Sequence, residues 1–224
     1  MQYKIIGGQL PVVVCALSRG EKMITESGGM CWMDDGFQME SSTQGGLLKG
    51  LGRVLSGESL FLTTYTSPRE GAQIAFGSSF PGNIMPVELY GDKSLIVQKH
   101  AFLVSEETVS LQTYFHKRMG AGFFGGEGFI LQKLSGKGMV FLEIDGAIEE
   151  KVLAPGEVLQ VDQGYIACFE ESVTFDITTV KGLKNKFFSG EGMFLATLRG
   201  PGKVWLQTMP FSVLADRIMA LVKQ

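Results

Sequence analysis

The apolar and polar residues of this 224-residue chain alternate in short runs, a pattern that predicts β-strands separated by turns. One seven-residue pattern occurs three times: a small residue, Gly, Glu and a second small residue, followed by three apolar residues. Each copy predicts a tight turn that leads into a strand, and a second apolar strand follows each copy after another turn. The copies are Ser56–Leu62, Gly125–Leu131 and Ser189–Leu195, and the strands that follow them are Gln73–Phe76, Met139–Ile144 and Lys203–Thr208.

A second, weaker repeat precedes each copy and predicts a strand, a turn and another strand. Gly20–Met33 resembles Gly156–Phe169, and Lys93–Glu106 fits the same pattern, with Ala101 at the position of Gly28 and Gly164. Two ordered series with a similar period indicate an internal triplication.

The sequence therefore predicts an all-β protein built from triplicated β-sandwich or double-stranded β-helix-type units in a pseudo-threefold arrangement. We expect one compact unit, 1–224, made of repeats at roughly 1–85, 86–150 and 151–224. Helical periodicity is clear at the C-terminus, where Phe211, Leu214, Ile218 and Leu221 follow Pro210 at one-face spacing. We expect this helix to cap an open sheet edge or one end of the sandwich.

Composition limits the function classes. Hydrophobic residues make up 45% of the chain and charged residues 19%, which excludes disorder as the main state. The net charge of −3 argues against nucleic acid as a partner. The 30 glycines, with only 7 prolines, predict many tight turns.

Compartment signals favour a cytoplasmic protein that is at most peripheral to a membrane. The three cysteines, Cys15, Cys31 and Cys168, are widely spaced, as is usual in a reducing compartment. The N-terminus has no signal-peptide pattern, and the longest apolar run, Leu10–Leu17, is far shorter than the ~20 residues of a spanning helix.

Catalytic motifs are scarce, so no cofactor and no metal site is expected, and the sequence favours a protein that is not an enzyme. Only two histidines occur, His100 and His116, and neither belongs to a metal-binding motif. Gly120–Gly125 matches the dinucleotide-binding glycine pattern, but it leads into a predicted strand where a helix is required.

The repeated turns contain three equivalent glutamates, Glu58, Glu127 and Glu191. Equivalent environments would not separate their pKa values as acid–base catalysis requires. We expect turn carboxylates that accept backbone N–H bonds, with a shared ligand or ion site as the alternative.

A basic and apolar segment precedes each repeated turn: Leu47–Gly57, His116–Gly126 and Lys181–Gly190, here called the basic-apolar segments. A pseudo-threefold arrangement would bring them to one end of the molecule. Such a rim suits an anionic membrane surface or a protein partner, whereas apolar pairs that plug the barrel ends are the structural alternative. The candidate surface-binding residues are Lys49, Arg53, Lys117, Arg118, Phe123, Phe124, Lys184, Lys186, Phe187 and Phe188.

Three motifs carry a family resemblance: the S-G-E-x-x-F-L turns, the loop Gly50–Phe61 (GLGRVLSGESLF) and the closing Gly200–Phe211 (GPGKVWLQTMPF). With them the chain resembles the altered-inheritance-of-mitochondria family, a domain of unknown function in the tryptophan RNA-binding attenuator protein-like superfamily. The resemblance covers nearly the whole chain. It implies a triplicated β-sandwich of double-stranded β-helix type, arranged as a pseudo-trimer.

The resemblance supplies no catalytic residues, because the family has no agreed activity. Its eukaryotic members are mitochondrial and linked to inner-membrane organisation, whereas this chain, without an Arg-rich presequence, is similar to a prokaryotic cytosolic member. The strands lack the basic pattern by which the attenuator relative binds RNA. We therefore expect a non-enzymatic binding or scaffold protein, peripheral to an anionic membrane surface or bound to a protein partner, with homo-oligomerisation open. The alternative is a small-molecule binder or enzyme that uses clefts between the repeats.

Overall fold

The computed structural model describes residues 1–26, 28–43, 61–117, 129–179 and 194–222. These residues form nineteen strands and one α-helix, α1 (Phe211–Val222). The strands are β1 Gln2–Ile6, β2 Val12–Leu17, β3 Lys22–Glu26, β4 Met30–Met33, β5 Gln38–Thr43, β6 Phe61–Thr66, β7 Ala72–Gly77, β8 Gly82–Leu89, β9 Leu95–Gln98, β10 Phe102–Glu106, β11 Val109–Lys117, β12 Phe129–Gly136, β13 Gly138–Asp145, β14 Ile148–Leu153, β15 Val158–Asp162, β16 Ile166–Glu170, β17 Thr174–Thr179, β18 Phe194–Arg199 and β19 Gly202–Gln207.

The strands form four antiparallel sheets whose orders reveal the triplication. Sheet 1 has the order β1-β2-β7-β4, and sheet 2 the order β5-β6-β3-β10-β13-β8. Sheet 3 has the order β11-β12-β9-β16-β19-β14, and sheet 4 the order β15-β18-β17. Adding six to every strand number of sheet 2 gives sheet 3. The same shift relates β2-β7-β4 of sheet 1 to β8-β13-β10 of sheet 2. It also relates β11-β12-β9 of sheet 3 to β17-β18-β15 of sheet 4.

Three equivalent units follow from this shift: unit 1 is β2–β7, unit 2 is β8–β13 and unit 3 is β14–β19. The units divide the chain between Gly77 and Gly82 and between Asp145 and Ile148. The expected boundaries near 85 and 150 fall inside β8 and β14.

Each interior sheet belongs to two units. Half of sheet 2, β5-β6-β3, comes from unit 1, and the other half, β10-β13-β8, comes from unit 2. Sheet 3 joins units 2 and 3 in the same way. The units are therefore linked by continuous strand pairing, β3 with β10 and β9 with β16, as well as by side-chain packing.

Three hydrophobic cores lie between successive sheets, one for each unit. The first, between sheets 1 and 2, contains Phe76 and Phe141. The second, between sheets 2 and 3, contains Leu134 and Leu142, and the third, between sheets 3 and 4, contains Phe169. Since burial of apolar surface provides most of the folding free energy, every unit depends on a sheet that it shares.

The prediction of an all-β, triplicated fold with a C-terminal helix is confirmed. The three predicted second strands of the repeat are β7, β13 and β19. The register of Gly28 with Gly164 is also observed, but strand pairing places His100, and not Ala101, at the equivalent position of unit 2. The units follow one another along the stack, and β4 of unit 1 and β15 of unit 3 are not paired with each other.

One glycine shows how closely the strands of a shared sheet approach each other. Gly82 begins β8 opposite Asp145, and a Cβ at this position would lie 1.9 Å from the carbonyl oxygen of Ile144. No larger residue fits unless β8 moves away from β13. Part of the high glycine content therefore reflects backbone contact as well as turns.

Helix α1 forms over the predicted residues, but on its predicted inner face only Leu214 is partly buried. Phe211, Ile218 and Leu221 are 61%, 51% and 74% exposed. Most of the face that is expected to cap a sheet edge or one end of the sandwich is therefore exposed, although the Phe211 ring packs against Phe80 at the start of the helix.

Candidate surface-binding site

Two short 3₁₀ turns define one end of the molecule, here called the corner end. Lys99–Ala101 connects β9 in sheet 3 to β10 in sheet 2, and Gln163–Tyr165 connects β15 in sheet 4 to β16 in sheet 3. Because β9 and β16 are antiparallel neighbours with Val97 opposite Cys168, the end of β9 and the start of β16 are adjacent. Both turns therefore lie at the same end.

Three hairpins that belong to three different units also reach the corner end. Antiparallel pairing fixes their direction: Leu131 of β12 lies opposite Gln98, and Leu62 of β6 lies opposite Glu26, the last residue of β3. In unit 3, Leu195 of β18 lies opposite Asp162, directly before the second turn. The terminal pairs of the hairpins are Thr43 with Phe61, Lys117 with Phe129, and Thr179 with Phe194.

The chain between the two strands of each hairpin contains one basic-apolar segment or most of one. Among the predicted surface-binding residues, Lys117 is the last residue of β11 and lies at the corner end. Lys49, Arg53, Arg118, Phe123, Phe124, Lys184, Lys186, Phe187 and Phe188 lie outside the described residues, as do Glu58, Glu127 and Glu191. The structure therefore brings together the strand ends that carry these segments.

Helix α1 also begins at the corner end. The backbone N–H of Phe211 donates to the Asp145 carboxylate (2.8 Å), and the Phe211 ring meets Phe80 edge-on at a centroid distance of 5.6 Å. Upstream, the side-chain amide of Gln207 donates to the carbonyl of Gly164 in the second 3₁₀ turn. The exposed apolar side chains of α1 are Phe211, Ile218, Met219 and Leu221.

Sequence reasoning found this helix but did not assign it to a surface. The apolar spacing predicts the helix, but it does not show that these side chains are exposed. An exposed apolar helix face at one end of a globular molecule is typical of an interaction site.

Two half-buried carboxylates, Glu143 and Asp145, accept hydrogen bonds from backbone groups at the corner end. Burial raises the pKa of Glu143 above its ordinary value, although hydrogen bonds donated by Ser79 oppose the shift. Burial likewise raises the pKa of Asp145, against the hydrogen bond from Phe211. These groups hold the helix start and the end of β7 in place, and their geometry is that of structural acceptors.

Three equivalent carboxylates that the sequence did not reveal lie at the opposite end. Asp34 accepts the backbone N–H of Gln73 (3.1 Å), and Glu106 accepts that of Met139 (2.7 Å). Glu170 accepts that of Lys203 (2.9 Å) in the same way. Asp34 directly follows β4, and Glu106 and Glu170 are the last residues of β10 and β16. Their hydrogen bonds connect these positions to the second residues of β7, β13 and β19. The sequence does not reveal this repeat, because unit 1 has Asp where units 2 and 3 have Glu and because the spacing between the three residues is unequal.

A cleft of about 400 Å³ lies between the N-terminal strand β1 and unit 2, also at the opposite end. Tyr3, Glu88 and Lys137 line it, together with Glu106. Because the Glu106 carboxylate already accepts the Met139 N–H, it acts in the cleft as a structural group. In the described residues no cluster of His, Cys, Asp or Glu has the size of a metal site, and no helix is long and apolar enough to cross a membrane.

Comparison with known proteins places this geometry in a family. The sequence profile described as mitochondrial biogenesis AIM24 matches residues 3–209, which is nearly the whole chain. The chain belongs to the AIM24 family. The resemblance of the motifs to the altered-inheritance-of-mitochondria family is therefore confirmed.

Two bacterial proteins are similar to this AIM24 chain over most of its length. An uncharacterised protein of Streptococcus pyogenes serotype M6 is 26% identical over 218 residues, which are 94% of this chain and 86% of the relative. A crystal structure of a Streptococcus pyogenes protein superposes with a TM-score of 0.80 at 24% identity and covers 98% of this chain and 99% of that one. The latter likeness shows that the fold is shared.

Proposed function

We propose that this AIM24 chain is a non-enzymatic scaffold that attaches to an anionic lipid surface through its corner end. The observation that carries the proposal is the exposed apolar face of α1, a helix that begins at the end where all three hairpins terminate. Because the three hairpins carry the basic-apolar segments, we expect the positive charge and apolar side chains of these segments to form one surface with the face of α1. Partial burial of an apolar helix face and attraction of Lys and Arg to anionic lipids add to each other in such binding.

The remainder of the molecule supports attachment in one orientation. The net charge of the chain is −3, so a general attraction to anionic lipid is absent and binding depends on the local positive charge of the segments. The opposite end contains the carboxylates of Glu88, Glu106 and Glu170. We therefore expect the corner end to face the lipid and the opposite end to face away from it.

Flotation with lipid vesicles tests this proposal. Vesicles of phosphatidylcholine with phosphatidylserine should carry the protein upward, and vesicles of phosphatidylcholine alone should not. The substitutions Ile218→Ser and Leu221→Ser together should reduce the floated fraction severalfold, because they remove exposed apolar area without disturbing a core. The pair Phe123→Ser and Phe187→Ser tests the segments in the same way.

A matched control comes from the opposite end. Val152 and Tyr90 are 66% and 55% exposed; Val152 is the second-last residue of β14, and Tyr90 directly follows β8. Replacing both by Ser removes a similar apolar area and should leave flotation unchanged. Equal loss in the control, or flotation that survives both corner-end pairs, would contradict the proposal and favour a protein partner.

A further inference from the structure

The cleft between β1 and unit 2 contains two carboxylates, and no ammonium group in the described part of the chain pairs with either of them. Its volume is about 400 Å³, and its charged lining side chains include Glu88, Glu106 and Lys137. We propose that this cleft binds a primary alkylammonium ion through the carboxylates of Glu88 and Glu106. The inference is independent of lipid attachment, because the cleft lies at the end opposite the corner end.

One wall of the cleft lies at the turn between β12 and β13. There the Glu106 carboxylate accepts the backbone N–H of Met139 at 2.7 Å. A Cβ at Gly138 would lie 2.8 Å from Glu106 Oε2 and 2.8 Å from the Thr108 hydroxyl oxygen. The glycine therefore leaves room for a carboxylate and a hydroxyl oxygen to approach each other, and both accept hydrogen bonds from an ammonium group.

Glu88 supplies the second carboxylate from the neighbouring strand. It lies directly opposite Met139 in the pairing of β8 with β13, so both side chains project from the same face of sheet 2. Glu88 is exposed, and among the described residues its carboxylate has no hydrogen-bond or ion-pair partner. Tyr3 of β1 lines the cleft from sheet 1. A ligand can therefore reach the Glu88 carboxylate while its alkyl chain packs against Tyr3 and Met139.

Unit 3 has a lysine ammonium group at the equivalent place. Lys203 occupies the position of Met139, and its backbone N–H donates to Glu170 as that of Met139 donates to Glu106. The Lys203 ammonium donates to Glu150 at 2.9 Å. This hydrogen bond is the main cause that raises the pKa of Lys203, and the charge of Glu170 adds to the shift. A carboxylate that binds the backbone in this way therefore also attracts an ammonium group.

Units 2 and 3 differ in the charges of one cross-strand pair. In unit 2 Glu88 lies opposite Met139, whereas in unit 3 Val152 lies opposite Lys203. Unit 2 thus has an additional carboxylate and lacks the lysine. Lys137 does not replace it, because it lies in the turn and forms no ion pair with the described residues. An external amine would supply to unit 2 the group that Lys203 supplies to unit 3, which is why we infer a primary alkylammonium ion.

An NMR titration with n-butylammonium chloride tests the proposal, because this ion is the lysine side chain as a free molecule. We expect saturable shifts of the backbone amide signals of Thr108, Gly138 and Met139. Tetramethylammonium chloride at the same concentration has the same charge but no N–H donor, and it should not produce these shifts. Shifts that do not saturate, or equal shifts with tetramethylammonium, would overturn the proposal.

Substitutions at the cleft test which groups bind the amine. Glu88→Gln should weaken binding about fivefold, the contribution of an ion pair near the surface. Met139→Lys introduces the ammonium group that unit 3 has and should abolish binding of the external amine. Lys137→Gln removes a like charge from the cleft and should strengthen binding.

The matched control is Glu149→Gln, which removes a carboxylate outside the cleft and should leave the affinity unchanged. Because the Glu88 side chain is exposed and has no partner among the described residues, Glu88→Gln should fold as the wild type does. Unchanged affinity in Glu88→Gln, an equal loss in the control, or weaker binding by Lys137→Gln would show that the cleft is not an amine site.

Discussion

Glu143 of unit 2 accepts a hydrogen bond from the backbone N–H of Ser79, just after unit 1, at 2.6 Å. The Ser79 hydroxyl donates to the same carboxylate oxygen at 3.0 Å. In the next unit Gln207 occupies the position of Glu143, and its side-chain oxygen accepts the backbone N–H of Asp145. In unit 3 a neutral amide oxygen therefore accepts a backbone N–H from the end of the preceding unit, as the half-buried carboxylate of Glu143 does in unit 2.

Replacing Glu143 by Gln should make stability less dependent on pH. Burial raises the folded-state pKa of Glu143 above its ordinary value of 4.5. In the pH interval between the unfolded-state and folded-state pKa values, the folded state therefore binds more protons than the unfolded state. The carboxylate therefore reduces wild-type stability as the pH rises through that interval. The free energy of unfolding of Glu143→Gln, minus that of wild type, should increase with pH in urea titrations between pH 4 and 8. Glu149→Gln, at an exposed position, is the control. Parallel profiles for Glu143→Gln and wild type would refute the prediction.

Replacing Glu170 by Ala should destabilise unit 3. The substitution leaves the part-buried N–H of Lys203 without its acceptor, at a cost of about 1–3 kcal/mol. Glu170→Gln retains an acceptor oxygen and should lose less. Equilibrium unfolding in urea measures both, and equal losses would mean that the hydrogen bond contributes little.

Gly82→Ala should loosen the pairing of β8 with β13. The added methyl group would overlap the Ile144 carbonyl, and we expect a loss of about 3 kcal/mol. Gly71→Ala is the comparison: Gly71 has φ +69° but open space, so only backbone strain of about 1 kcal/mol applies. Thermal or urea unfolding should rank the two variants in that order; the reverse ranking would argue against the close strand contact.

The three thiols should differ in reactivity towards a thiol reagent. Burial raises the pKa of Cys15 to about 12 and also raises that of Cys168, whereas Cys31 is exposed on β4. At pH 8 the folded protein should be modified at Cys31 alone, and all three thiols should react in urea. Mass spectrometry reads the result. Rapid labelling of Cys168 in the folded protein would show that sheets 2 and 3 open more readily than their packing implies.

Lipid attachment through the corner end should weaken with salt. The Debye length falls from ~10 Å at 0.1 M to ~3 Å at 1 M, so the lysine and arginine contribution should be screened while the apolar contribution of α1 remains. Flotation should decrease with salt in wild type. Lys184→Glu with Lys186→Glu should lower binding at low salt and flatten this dependence, and an unchanged salt profile in that variant would remove the third segment from the interface.

The sequence predicts local elements well because its repeats lie in the strands themselves. The apolar runs near Gln73, Met139 and Lys203 are β7, β13 and β19, and the spacing after Pro210 is α1. The alignment at Ala101 was wrong by one residue, because the short segment around His100 lacks the glycine that marks the turn in the other units. The turn glycine aligns units 1 and 3, and unit 2 has His100 at that position.

Non-local pairing was not predictable from the sequence. Nothing in the residues of β3 and β10 indicates that they belong to different units and yet share a sheet, because the apolar alternation of a strand is the same whichever neighbour it has. The carboxylates of Asp34, Glu106 and Glu170 were missed because equivalence depended on backbone position. The surface candidates in the basic-apolar segments stay predictions that the vesicle and salt experiments address.

Sharing of sheets also determines how the chain can be divided. A cut between Gly77 and Gly82, or between Asp145 and Ile148, would not release a free-standing unit, because it would separate strands that build one core from the half-sheet that borders it. The smallest fragment with a complete core is one unit together with the adjoining halves of its neighbours. A chain with one more or one fewer unit would therefore keep the same types of contact inside the stack and change only the number of shared sheets.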